Sequence, residues 1–292
     1  MTKIEWTDES WNPVTGCTKV SAGCKNCYAE AIAKRFWGKR KFTSIKCHSD
    51  RLNIPLHWKK PRMIFVNSMS DLFHEDVADQ FIIDVFLIMA KAKQHTFQIL
   101  TKRPERMLSF FEDCRSMPPI FPLPNVWLGI SIESPDHCER VKYLRSTPAI
   151  KRFLSIEPML ESFKDYPGVI DEMDWVICGG ESGPNARPMH PDWAKELRDI
   201  CKAVGIPFFF KQWGEWIGTD VRVETCIDTY EVMTAENKIS YTCPMDGKYA
   251  DRPDRFRIKM HKWEDGMRSL RVGKKEAGHF LDGITYREYP KL

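Results

Sequence analysis

No apolar run in this sequence reaches the roughly 18 residues that a membrane-crossing helix needs. The longest candidate, Phe81 to Ala90, is ten residues and contains Asp84. The chain opens Met1-Thr2-Lys3-Ile4-Glu5-Trp6, without an apolar secretion segment. A cytoplasmic protein with no membrane partner is therefore expected. Repeats and low-complexity segments are lacking, which excludes a solenoid or a disordered chain. Neither a Walker-type phosphate loop nor a dinucleotide fingerprint is present, so no nucleoside triphosphate or NAD site is expected. Net charge is small: 44 Lys and Arg against 40 Asp and Glu give +4, less basic than most nucleic-acid-binding domains. That excess is uneven, however. Ten lysines and arginines lie between Lys34 and Arg62 against the single acid Asp50. They read either as a solvated face or as a rim that contacts phosphates.

What is there suits a globular protein. The 42% hydrophobic and 29% charged residues permit a sizeable core. From residue 63 onward, strand-like and helix-like runs alternate. Strands are expected at 63–69, 96–101, 126–133, 152–157, 175–178 and 206–211, with a short one before Cys17. Helices are expected at 76–93, at 104–113 with Pro104 in its first turn, after Ser134-Pro135, and from Pro191 to Gly205. This alternation predicts parallel βαβ units. The fold class is α/β, a partial (β/α) barrel of about six parallel strands, although a doubly wound sheet gives a similar pattern. Residues 1–216 read as the barrel with its N-terminal loop. Residues 217–292, polar and Gly- and Pro-punctuated, read as a C-terminal extension packed on it, with a helix near 274–281.

Ten cysteines spread over 292 residues are expected to be reduced. Three are close together: Cys17, Cys24 and Cys27, in C-x6-C-x2-C spacing. Gly16 and Gly23 permit the tight backbone such a loop needs. Thiolates are soft ligands for iron–sulfur clusters, zinc or copper(I). With no near fourth cysteine, a [4Fe–4S] cluster would keep one iron open. Zinc completed by Cys47 or His48 is the alternative, and three unliganded thiols a second. Cys226 and Cys243 read as structural thiols.

A three-cysteine loop ahead of a (β/α) barrel resembles the radical S-adenosylmethionine superfamily. The sequence is more closely similar to a phage- and prophage-encoded family of radical-SAM-like three-Cys-motif proteins. The resemblance runs through nearly the whole chain, in WNPVTGC, CxxCYAE, FVNSMSDLFH, ILTKRPERM, WLGISIE, FLSIEPML, GGESGPNARP, FFFKQWGEW and RVGKKEAGHFLDG. It implies a [4Fe–4S] cluster on Cys17, Cys24 and Cys27, with S-adenosylmethionine as cofactor and an electron donor as partner. It also implies a 5′-deoxyadenosyl radical that takes hydrogen from a substrate. The chain departs from the superfamily in three places. The usual first gap is three residues, not six. Asn26 stands where an aromatic often precedes the third cysteine. The usual early Gly-Gly-Glu is replaced by Asn67-Ser68-Met69-Ser70-Asp71, while Gly179-Gly180-Glu181 comes much later.

In (β/α) barrels chemistry sits at the carboxyl ends of the strands. Candidates there for cofactor binding are Asn67, Ser68, Asp71, Lys102, Ser131, Glu133, Gly179 and Gly180. Asp71 is placed to accept from an ammonium group, though a turn role is equally open. Lys102 and Arg103 are cations that can meet a carboxylate or phosphate. Ser131 and Glu133 resemble the superfamily's ribose position. The glycines at 179, 180 and 183 expose backbone N–H groups to a ligand. Glu133, Glu157, Glu181 and Lys211 are the candidates for acid–base or substrate-holding work. Trp11, Trp213 and Trp216 are candidates for stacking on a base, against core packing. A nucleic acid or nucleoside is the favoured substrate. A metal-stabilised nucleic-acid-binding module, or a scaffold without turnover, is the other reading.

Overall fold

The computed structural model describes residues 4–114, 121–219, 229–233, 238–242 and 259–291. Seven parallel strands form one sheet: β1 (Glu9–Trp11), β2 (Met63–Val66), β3 (Thr96–Thr101), β4 (Val126–Ser131), β5 (Lys151–Ile156), β6 (Trp175–Gly179) and β7 (Phe208–Gln212). Spatial order follows chain order without a skipped strand. That is the arrangement of a (β/α) half-barrel, in which each crossover returns its strand beside the last. The expected strands are all present, and the doubly wound alternative, whose order reverses, is excluded. The short strand before Cys17 is β1, paired through Trp11 with Val66.

The five longer helices among the described residues are α1 (Tyr28–Phe36), α2 (Asp79–Lys91), α3 (Pro104–Asp113), α4 (Arg140–Ser146) and α5 (Pro191–Val204). α3 starts at Pro104 as expected, and α5 ends at Gly205, whose φ of 73° closes it. The sequence reading did not anticipate α1.

Side-chain alternation along the strands separates two apolar layers. Ile64, Ile99, Leu128, Leu154, Val176 and Phe210 point to the helices, where Phe86, Met107, Phe110, Leu144 and Leu197 meet them. Each such side chain stabilises the fold by about 1.5–3 kcal/mol when buried. Phe65, Trp127, Phe153, Trp175 and Phe209 point the other way, into the concave face. Trp6 joins them, 4.6 Å from Phe65 and 6.1 Å from Trp175 between ring centroids. Aromatic rings thus line the concave face below the carboxyl ends of the strands.

The edge of β7 is covered by the C-terminal segment. Phe210 N–H donates to the Tyr286 carbonyl (2.9 Å) and Glu288 N–H to Phe208 (3.3 Å), which removes an exposed edge. Trp216–Thr219, Lys259–Lys262 and Arg268–Arg271 form a three-stranded antiparallel sheet, and Thr229–Met233 pairs with Lys238–Thr242. Ile217, Leu270, Ala277 and Leu281 share the barrel's core. The expected helix near 274–281 is short, Lys274–Ala277, and gives way to a strand at Phe280. Cys226 and Cys243 lie outside the described residues. No helix among the described residues is long and apolar enough to cross a membrane.

Candidate metal centre

The loop from Gly16 to Tyr28 lies across the carboxyl ends of the strands and is tied to four of them. After β2, the Met69 carbonyl accepts from Gly16 N–H (3.0 Å), and the Ser68 carbonyl from the Tyr28 hydroxyl (2.6 Å). After β3, the Arg103 guanidinium donates to the Cys17 sulfur (3.5 Å), the Thr18 hydroxyl (2.7 Å) and the Thr18 carbonyl (3.3 Å). After β4, the Glu133 carboxylate accepts from the Ser21 hydroxyl (3.0 Å). After β6, Glu181 accepts from the Asn26 amide (3.0 Å). Close approach explains both glycines. Gly16 has φ of 101°, and a Cβ there would stand 2.5 Å from the Ser44 carbonyl. A Cβ on Gly23 would stand 2.4 Å from the Glu133 side chain.

Cys17, Cys24 and Cys27 are half-buried free thiols. Burial, then the charge of Asp71, pushes the Cys17 thiol up to about 11 against the pull of Arg103. Burial also raises Cys27. Metal binding must deprotonate both. A tetrahedral zinc with Zn–S near 2.3 Å holds its sulfurs about 3.8 Å apart. Among the described residues, the one group of three or more ligand atoms all within 4.8 Å is His190, Asp192 and Asp265. The three cysteine sulfurs are not such a group. The neighbours expected to complete a zinc site are engaged elsewhere. Cys47 packs on the core, and the His48 ring meets the Thr15 hydroxyl at 2.8 Å. Cys178 and Cys201 are deep in the helix layer. Three soft donors on one loop, with cationic Arg103 and Lys102 beside them, have the chemistry of an iron–sulfur site.

The carboxylates at the strand ends are less free than expected. Glu133 has no solvent exposure; it pairs with Lys102, and Arg140 and His137 stand 3.4 and 3.7 Å away. Burial alone would raise its pKa, but Lys102 and Arg140 hold it below the usual carboxylate range. Glu181 takes both Arg187 side-chain donors (2.8 and 2.6 Å) and the Arg187 N–H (2.8 Å). These bonds outweigh its burial and hold it low as well. Both carboxylates are paired with cations and tie down the cysteine loop through Ser21 and Asn26. Asp71 is likewise committed. It accepts from Phe73 N–H (3.0 Å), the Thr101 hydroxyl (2.7 Å), Lys102 N–H (3.0 Å) and Arg103 (3.3 Å). That is the turn role, extended to hold Arg103 on Cys17.

The glycine run also differs from expectation. Gly180 N–H donates to the Gln212 carbonyl (2.8 Å) and Gly183 N–H to Glu215 (3.0 Å). A Cβ on Gly179 would stand 2.7 Å from Glu157, and one on Gly180 1.9 Å from the Trp213 carbonyl. At Gly179 and Gly180 the missing side chain makes room for the protein's own atoms. Trp11, Trp213 and Trp216 are core residues whose indole N–H groups donate to the carbonyls of Arg51, Phe280 and Ala186. They are not stacking platforms.

Polar groups remain on the concave side. Lys211 Nζ and Glu157 form an ion pair at 2.9 Å, both partly exposed. Ser131 and Ser155 are buried at the ends of β4 and β5. Asn67, at the end of β2 in the left-handed region (φ 64°), accepts from Val14 N–H at its side-chain Oδ1 (3.2 Å), while its buried Nδ2 has no hydrogen-bond partner among the described residues. The buried Ser182 hydroxyl also has none among the described residues. Ser68 exchanges hydrogen bonds with Asn12 (3.2 Å). Sequence reasoning missed Arg103 as a thiol partner, and it gave Ser21, Asn26 and Arg187 no part in holding the loop. Arg103 was visible only as a cation after a strand.

The family described as "Protein of unknown function (DUF5131)" matches residues 1–290. The chain belongs to this family. No curated protein matches it. Among solved structures, this member of the family is similar to spore photoproduct lyase with bound AdoMet and a dinucleoside spore photoproduct. That pair shares 10% identity with a TM-score of 0.41, over 80% of this chain and 67% of the other. A second spore photoproduct lyase structure, complexed with the dinucleoside spore photoproduct, shares 11% identity with a TM-score of 0.38. The match spans 78% of this chain and 66% of the other. The family member thus spans about two thirds of the length of these structures.

Proposed function

We propose that this protein is a radical S-adenosylmethionine enzyme that acts on a nucleic acid or nucleoside. One observation carries the reading. Three thiols, with no fourth cysteine in the same loop, sit where four strand ends hold that loop over the mouth of a parallel half-barrel. When bound, a [4Fe–4S] cluster with one open iron and S-adenosylmethionine supply the electron and the 5′-deoxyadenosyl radical.

The chain supplies position and exclusion of water. Cys17, Cys24 and Cys27 hold the cluster. Arg103 donates a hydrogen bond to the Cys17 sulfur and offsets thiolate charge. Glu133 and Glu181 fix the loop between the cysteines through Ser21 and Asn26. The aromatic floor around Trp6 and Trp175 closes the barrel below, so a reacting carbon at the mouth meets no bulk water from that side. The unpartnered Nδ2 of Asn67 and hydroxyl of Ser182 are donors for a bound cofactor or substrate. The Glu157–Lys211 pair is the charged group left to hold a substrate or move a proton between Lys211 Nζ and the Glu157 carboxylate.

The test is anaerobic. The protein is reconstituted with iron and sulfide, its iron counted, and dithionite and S-adenosylmethionine added. About four irons per chain and formation of 5′-deoxyadenosine, both lost in Cys24→Ala, are expected. Tightly held zinc, or a cluster that never cleaves S-adenosylmethionine, would return the weight to a binding module or scaffold.

A further inference from the structure

α1 begins one residue after Cys27, and its buried face is narrow: only Ala29 and Ala33 are buried. Tyr28, Ile32 and Phe36 recur every four residues and so share one face. They are 51%, 41% and 69% exposed. An apolar stripe on a helix ordinarily turns to the core; this one faces out. Two cations lie on aromatic faces beside it, Arg35 over Phe36 at 5.2 Å and Arg40 over Trp37 at 4.3 Å. From Lys34 to Lys46 there are six lysines and arginines and no acid. The acid within α1, Glu30, is already paired with Lys19 (3.1 Å) and Lys34 (2.9 Å).

The basic loop after α1 is fixed in place. Arg40 donates to the Thr15 hydroxyl (3.0 Å), the Thr15 carbonyl (2.8 Å) and the Ser44 carbonyl (2.7 Å). The Phe42 carbonyl accepts from Cys17 N–H (3.0 Å). The loop is therefore held at Cys17, as α1 is at Cys27. One strip of aromatic faces and cations, six lysines and arginines against the single acid Glu30, borders the thiol loop on both sides.

We infer that the strip from Tyr28 to Lys46 docks a single-stranded nucleic acid and leads it to the thiol loop. Exposed rings offer stacking to bases, and lysines and arginines offer charge to phosphates; together these are the two terms of single-strand binding. A duplex hides its base faces and uses only the second. The inference rests on the nucleic-acid part of the reading above and names its docking surface.

The test uses the full chain, reduced and without added metal. Anisotropy of a fluorescein-labelled oligothymidine of about 20 nucleotides is followed from about 50 to 200 mM salt. The wild type is expected to bind it, and a duplex of the same length less tightly. Phe36→Ala should weaken binding about tenfold and leave the salt slope unchanged, because one base stack is lost. Lys39→Ala with Lys41→Ala should lower the slope by about 1.4. Phe36 is largely exposed, so an unchanged melting curve shows the variant is folded. No binding, equal binding by Phe36→Ala, or a duplex bound as tightly would overturn the inference. A wild-type dimer that Phe36→Ala dissociates would also overturn it, showing that a second copy covers the stripe. Failure here with 5′-deoxyadenosine still formed leaves the radical reading standing. Binding without 5′-deoxyadenosine has the opposite meaning.

Discussion

Replacing Glu133 by glutamine separates its role as an anchor from a role as a ligand. The carboxylate is shielded from solvent and touches Lys102, Ser21, Arg140 and His137. Glu133→Gln keeps the volume and removes the charge, so Lys102 and Arg140 lose their counter-charge. Breaking a buried pair costs about 3–5 kcal/mol. The Lys102 side chain is 21% exposed, so water recovers part of this, and the lower end, about 3 kcal/mol, applies. At about 2–4 °C per kcal/mol, Tm should fall by about 6–12 °C. The assay is thermal melting by circular dichroism on the reduced, metal-free chain at neutral pH, with urea unfolding to check the slope. Ser21→Ala removes a neutral donor to the same carboxylate and should cost about 1 kcal/mol. A Glu133→Gln protein that melts like the wild type, yet no longer binds S-adenosylmethionine, would refute the anchor and restore the ribose-binding role. The sign with pH follows from the depressed folded pKa. Stabilisation is present above the unfolded carboxyl value, about 4.3, and is lost as pH falls through the folded one. The advantage of the wild type over Glu133→Gln should therefore shrink below pH about 4.

Two further outcomes follow from the thiol loop. In the metal-free protein the Cys17 thiol, pushed up to about 11, should react with iodoacetamide about tenfold faster per pH unit from pH about 7 to 9. Peptide mass mapping follows it, and a plateau near pH 8.5 would contradict its burial. Gly16→Ala should lose more than about 2 kcal/mol in urea unfolding, because left-handed backbone strain adds to contact with two carbonyls at 2.5 and 2.9 Å. An unchanged urea midpoint would mean that the 42–44 loop moves freely.

Much of the barrel was legible because its strands are short apolar runs between helices with clear start and stop residues. Pro104 opens α3 and Gly205 closes α5 at the positions their local chemistry dictates. α1 was not legible. Only Ala29 and Ala33 turn inward, so its apolar residues carry no core-facing period. Trp11, Trp213 and Trp216 were ambiguous because tryptophan suits both a cavity and a core. Their buried N–H partners decided for the core.

The sequence by itself determined the parallel α/β class, the cysteine loop as the candidate metal centre, and the strand ends as the place for polar residues. All three rest on local spacing and periodicity, which are properties of a linear chain. Only the tertiary structure decided which of those polar residues are already taken. Glu133, Glu181 and Asp71 find Lys102, Arg187 and Arg103, and with them the loop that bears the thiols. Glu157 and Lys211 find each other on the concave side. Most of these partnerships join residues on different strand ends or loops, and a carboxylate's role depends on the cation it meets across the mouth of the barrel.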